Sequence, residues 1–106
     1  MSEEQLLQAI TEAATYAGWR WVHFRPARTE KGWRTPTQGH SGFPDLCLAR
    51  NGKVLFLELK RLGKYATPEQ EEWIRAINGP EVIHAAKVQA YQVNTSQLDV
   101  VLAMLR

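Results

Sequence analysis

The dipeptide Asn51-Gly52 lies between two runs of strand-forming residues, 46–50 and 53–60, and constrains this chain more than any other feature. A two-residue type I′ turn needs positive φ at both central positions, and Asn-Gly meets that need at little steric cost. The dipeptide therefore predicts a hairpin in which Arg50 faces Lys53, and counting outward pairs the rest. Leu46, Leu48, Leu55, Leu57 and Leu59 then share one face; Cys47, Ala49, Val54 and Phe56 share the other with Asp45, Glu58 and Lys60. Both faces carry apolar side chains, so other layers must cover both sides of the sheet.

The flanking sequence supplies those layers. Ser2 and Gln5 form a capping-box pattern, followed by Leu6, Leu7, Ile10, Ala13, Ala14 and Ala17 at helical spacing, with Gly18 as a stop. This predicts a first helix over about 3–17, with Glu3 on its apolar arc and Glu4 and Gln8 outside it. Trp19–Arg25 alternates as a strand does. Residues 26–44 hold Pro26, Gly32, Pro36, Gly39, Gly42 and Pro44 without periodicity and read as a long irregular loop, a length that calls for a function. Thr67-Pro68-Glu69-Gln70 opens a second helix, 68–78, expected to bury Trp73, Ile74 and Ile77 before Gly79-Pro80 ends it. Residues 81–87 fit a helix or a strand. Val88–Val93 reads as a strand, and Ser96 with Asp99 opens a last helix carrying Leu98, Val101, Leu102 and Leu105. With no repeat or linker, residues 1–106 form one α/β domain.

Composition narrows the class. Hydrophobic residues at 44% and charged residues at 23% are those of a folded globular chain, which excludes a disordered one. No apolar run approaches a membrane span, and Met-Ser-Glu-Glu lacks the basic and then apolar pattern of a signal peptide, so the expected location is cytoplasmic. The single Cys47 excludes an internal disulfide framework; with His23, His40 and His84 scattered, it also excludes a CxxC-type zinc site. The net charge of +2 conceals an asymmetry: Arg20–Lys64 holds ten basic residues against Glu30, Asp45 and Glu58, and the remainder is acidic. A positive surface for a polyanion and a solvated charged face both fit this distribution.

The hairpin register has a chemical consequence. It sets Asp45 directly opposite Glu58, where like charges are destabilising. A divalent cation held between them removes that penalty, and hard oxygen donors suit Mg2+ or Mn2+. Lys60 shares the face of Glu58. Two carboxylates, a metal and a lysine are the parts needed to activate water against a phosphodiester. A turn-forming Asp and a surface Glu–Lys pair are the structural alternatives.

In order along the chain stand Gly18-Trp19, His23-Phe24, Gly42-Phe43-Pro44-Asp45, Glu58-Leu59-Lys60, and Gly63 leading to Thr67-Pro68-Glu69-Gln70. This series resembles the PD-(D/E)XK nucleases, and within them the VRR-NUC family in its short stand-alone, bacteriophage-type form. The likeness covers about residues 3–78; from Asn78 to Gln89 it weakens. The resemblance implies a restriction-endonuclease-like αβα core with a mixed central sheet flanked by helices, in the cytoplasm of a bacterial host if phage-encoded. It also implies that Asp45, Glu58 and the Leu59 carbonyl bind Mg2+ or Mn2+, that Lys60 orients or activates the water, and that Gln70 supports them from the second helix. The first-helix glutamate of the family corresponds to Glu3, with Glu4 as the alternative.

Arg25, Arg28, Lys31 and Arg34, with Arg61 and Lys64 beyond the catalytic strand, are the candidate phosphate contacts. Trp33, set among basic residues, suits stacking on an exposed base or packing under its own loop. Trp19 and Trp21 suit packing, and His23 on their face suits a core position. No base-reading helix-turn-helix or zinc finger is visible, so DNA shape is the expected basis of selection. The resemblance implies metal-dependent cleavage of four-way-junction or otherwise branched DNA, and a homodimer if two strands are cut. A less selective nicking nuclease and a catalytically inactive DNA-binding or assembly module are the alternatives.

Overall fold

Asn51 at φ 50° and Gly52 at φ 81° make the two-residue turn that their side chains favour, and the hairpin register follows from it. Strand β4 (Leu46–Arg50) pairs antiparallel with β5 (Lys53–Leu59), Arg50 against Lys53 and Leu46 against Leu57. In this computed structural model residues 1–24, 38–80 and 86–106 are described in full, and residues 27–29 and 32–34 as backbone.

The remaining elements are α1 (Glu3–Tyr16), β1 (Arg20–His23), β2 (Ala27–Thr29), β3 (Gly32–Arg34), α2 (Pro68–Asn78), β6 (Val88–Val93) and α3 (Leu98–Leu105). The main sheet has the order β1-β4-β5-β6, with β1 and β5 antiparallel to β4 and β6 parallel to β5. Among the described residues the fold is mixed α/β, with a four-stranded mixed sheet and three α-helices. No helix among the described residues is long and apolar enough to cross a membrane.

One face of the sheet carries the core. Leu46, Leu48, Leu55, Leu57 and Leu59 meet Leu6, Ile10 and Ala14 of α1 and Val101 and Leu105 of α3, all at or near zero exposure. A leucine taken wholly out of water contributes about 1.5–3 kcal/mol, so this layer supplies most of the driving force. On the opposite face, Phe43 packs edge-on against Phe56, Phe24 and Trp73, which brings the side of α2 over the sheet. The leucine side closes with Arg50. Its guanidinium donates to the carbonyls of Ala17 (2.8 Å), Leu105 (3.2 Å) and Arg106 (2.9 Å) while stacked 4.5 Å from the centre of the Trp19 ring. A cation thus answers the unpaired carbonyls at the ends of two helices at once.

Several expectations need correction. The segment 26–44 is not without regular structure: β2 and β3 pair as a small antiparallel hairpin of its own. The first strand is shorter than Trp19–Arg25, because the Trp19 indole is buried and donates to the Leu105 carbonyl at 2.8 Å before β1 begins. Trp73, Ile74 and Ile77 are half-buried, since α2 lies over the end of the sheet and has no fully buried residue. The last helix is opened by Asn94, not Ser96. The Asn94 side chain accepts from the Ser96 N–H at 2.9 Å, Gln97 returns a bond to the Asn94 N–H, and one 3-10 turn (Thr95–Gln97) precedes α3. Residues 81–85, including His84, lie outside the described residues.

Strand β6 ends the sheet, and its outward backbone groups need partners. The Asn78 amide supplies both, accepting from the Ala90 N–H and donating to the Ala90 carbonyl, each at 2.7 Å. Ala90 is fully buried, so losing that amide leaves two backbone groups unpaired away from water. Asn78→Ala is expected to cost about 2–4 kcal/mol, read as a lowered urea midpoint. An unchanged midpoint would show that solvent reaches this edge.

Candidate active site

The end of the sheet where β5 stops gathers the polar residues. The register extends one step beyond Leu46–Leu57 and brings Asp45 opposite Glu58, with the Phe24 N–H bonded to the Asp45 carbonyl at 2.8 Å. Lys60 Nζ lies 3.5 Å from Glu58 Oε2. Glu58 is 1% exposed, among the most buried residues of the chain, and Lys60 is half-buried. An acid in that position is held where charge is costly.

Burial raises the Glu58 pKa most, the Asp45 carboxyl beside it raises it further, and Lys60 pulls it back only in part; it stands at about 8 against an ordinary 4.5. Two bare carboxylates have no donor to offer each other. While both are ionised, Glu58 Oε1 is buried without a hydrogen-bond partner among the described residues; a proton on Glu58 turns its approach to Asp45 into a hydrogen bond. A bound cation is the other way to satisfy the same oxygens, and paired hard oxygen donors suit Mg2+ or Mn2+. The residues present therefore fit a divalent metal on the evidence of the orphaned oxygen and the facing carboxylates.

The backbone supplies a third oxygen. The Leu59 N–H points toward Asp45 Oδ2 at 3.4 Å, whereas the Lys60 N–H bonds the Val93 carbonyl at 2.9 Å on the other side. In an extended strand the N–H and C=O of one residue face the same way, so the Leu59 carbonyl is also turned to the Asp45 side. The Leu59 carbonyl thus shares the edge that faces Asp45, with Glu58 before it on β5 and Lys60 Nζ 3.5 Å from Glu58 Oε2.

The first turn of helix α2 packs on the loop that leads to Asp45. Gly42, at φ 92°, comes so close to the helix that an added Cβ would lie 2.7 Å from the Glu69 carbonyl carbon and 2.8 Å from the Gln70 nitrogen. That approach ties the Asp45 loop to Gln70. Gln70 Oε1 accepts from the Thr67 N–H at 2.8 Å and the Gln70 backbone N–H donates to Thr67 Oγ1 at 3.2 Å, so the side chain serves the capping box while half-buried at the loop. Sequence reasoning missed Gln92. The parallel pairing sets it beside Glu58 on the same face, and its side-chain oxygen accepts from the Ala66 N–H at 2.9 Å, anchoring the segment that leads into α2. A glutamine within a strand pattern carries no signal of this, because the neighbour is fixed only by the β5–β6 register.

Other expected site residues fall elsewhere. Glu3 and Glu4 are exposed in the first turn of α1, and among the described residues no group of three His, Cys, Asp or Glu comes together to hold a metal. Arg61 and Lys64 are exposed just beyond Lys60. Arg25 and Lys31 lie outside the described residues, as do the side chains of Arg28, Trp33 and Arg34. Trp21 is partly exposed and donates to Thr15 Oγ1 at 2.8 Å. His23 pairs with Leu46 on the leucine face, away from the carboxylates, and its Nδ1 is buried without a partner among the described residues.

The folded chain keeps the Glu58 proton to about pH 8, whereas the unfolded chain loses it near the ordinary 4.5. The folded state therefore binds more protons across that window, and metal-free stability should fall as pH rises through it. Thermal melts in EDTA should show this fall, and Asp45→Asn should flatten it and raise the melting temperature at neutral pH. A fall equally steep in the variant would contradict the carboxylate contact. Gly42→Ala should lower the melting temperature by several degrees, because neither the backbone of α2 nor a positive φ accepts a Cβ there. An unchanged melt would show that the helix shifts freely.

No family model matches the chain and no curated protein matches it, so the chemistry of this site is argued from its own residues.

Proposed function

We propose that this chain is a divalent-metal-dependent DNA endonuclease with a restriction-endonuclease-like αβα core, selective for branched or four-way-junction DNA. The single observation that carries this reading is a buried acid held against a second carboxylate: Glu58, 1% exposed, faces the half-buried Asp45 with Lys60 Nζ at 3.5 Å. Burying one carboxylate against a second does not serve stability, because the desolvation and repulsion both oppose folding. A site that binds a cation recovers that cost on binding.

Asp45, Glu58 and the Leu59 carbonyl would hold Mg2+ or Mn2+. When bound, the metal would supply Lewis-acid activation of water and charge neutralisation at the phosphate. The chain's own residues do the rest. Glu58 would pass its proton to solvent and serve as a ligand, and Lys60, beside Glu58 Oε2, would orient the water and face the negative charge that develops on the phosphate oxygens. Gln70, tied to the Asp45 loop through Gly42, and Gln92, beside Glu58, brace the surrounding backbone. Exposed Arg61 and Lys64 stand where a DNA backbone would pass. The described residues hold one such cluster, so cutting two strands of a junction calls for a homodimer.

A second reading is an inactive DNA-binding or assembly module. It is favoured by one observation, that Glu3 stays exposed and no third acidic ligand joins Asp45 and Glu58 among the described residues. Cleavage of end-labelled linear, nicked, flap and four-way-junction DNA with Mg2+, Mn2+ or EDTA separates these readings from each other and from unselective nicking. Metal-dependent cutting by the wild type is expected, reduced by roughly a thousand-fold or more in Lys60→Ala with the melting temperature little changed. Undiminished cutting in Lys60→Ala would remove the lysine from the mechanism, and no cutting with any metal would leave the binding module.

A further inference from the structure

The loop that leaves the candidate active site presents two large apolar side chains to solvent. Leu62 is 66% exposed and Tyr65 is 76% exposed, among the most exposed large apolar residues of the chain. They alternate with exposed Arg61 and Lys64 directly after Lys60. The loop is not slack. The Lys60 N–H is bonded to the Val93 carbonyl at 2.9 Å, the Lys64 N–H closes a turn onto the Arg61 carbonyl at 3.1 Å, and the Ala66 N–H is held by Gln92 at 2.9 Å. Both ends are therefore fastened to β6, and Leu62 and Tyr65 are displayed from a fixed frame.

Two large apolar side chains held out to solvent from a fastened loop are available to a partner. The two cations name the occupant, because they match a phosphate backbone and follow directly on Lys60 of the proposed cleavage site. An intact duplex keeps its bases stacked and offers such side chains no purchase. A branch point offers the open edge of a base pair, on which a leucine can wedge and a tyrosine can stack.

We propose that Leu62 and Tyr65 form a wedge that docks against the unstacked base pair at a DNA branch point, with Arg61 and Lys64 clamping the flanking phosphates. This rests on the nuclease reading of Asp45, Glu58 and Lys60 for its placement, but wedge binding itself needs no metal. The wedge makes the loop the element that distinguishes branched from linear DNA. The cations supply affinity common to both.

The test measures binding of the full chain in EDTA to linear duplex, flap and four-way-junction DNA of equal length, with 2-aminopurine at the branch-point base. Wild type is expected to favour the branched DNAs and to change the 2-aminopurine emission. In Leu62→Ala/Tyr65→Ala the preference should fall about ten-fold, the factor of one lost base-stacking contact, while linear-duplex affinity stays within about two-fold. Tyr65→Phe should keep the preference. Both side chains are exposed, so melting temperatures should hold. A double variant that keeps the preference and the emission change, or a wild type that binds all forms equally, would overturn the wedge. Wild-type cleavage with Mg2+ or Mn2+ is scored separately: cutting with discrimination intact in the double variant sinks the wedge alone, and branch binding lost in the double variant without any wild-type cutting sinks the nuclease alone.

Discussion

The antiparallel pairing of β4 with β5 is the constraint on which the rest of this structure depends. Two adjacent residues at positive φ, Asn51 and Gly52, set that pairing, and a shift of one residue would turn every side chain to the other face. In the observed register five leucines meet α1 and α3, and the same count delivers Asp45 to Glu58. Core and candidate site are consequences of one turn. Evolution cannot move one without moving the other.

The molecule carries a local conflict and tolerates it. The leucine layer and the capped helix ends, with Arg50 serving both Ala17 and Leu105, provide stability, while the Asp45–Glu58 pair subtracts from it. A protonated Glu58 is the compromise available to the metal-free chain. Conflicts of this kind concentrate where chemistry is done, because groups that are comfortable in the resting state have little left to offer a ligand. The polar frame around the pair is correspondingly well made: Gln92 holds the approach to α2, and Gly42 lets that helix close on the Asp45 loop.

Much of this was legible in the residues. The reciprocal caps Ser2–Gln5 and Thr67–Gln70 begin helices where the pattern predicts, and the hairpin pairs as counted. These are short-range decisions, made within a few residues by backbone sterics and by side chains bonding their own chain. Other features were not legible. Glu3 lies on the apolar arc of its helix yet is exposed, because the core ends before the first turn. The proline- and glycine-rich stretch hides the β2–β3 hairpin, whose three-residue strands are too short to show a period.

By itself, then, the sequence determined the local elements, the β4–β5 register and hence the meeting of Asp45 with Glu58, since each follows from φ preferences, capping and alternation along neighbouring residues. Only the tertiary structure decided what lies across the parallel β5–β6 seam: Gln92 beside Glu58, Asn78 closing the sheet edge, and the 61–65 loop fastened at both ends. No turn links β5 to β6. Their register is set by how α2 and the core pack, which is a balance over the whole chain that no local pattern records.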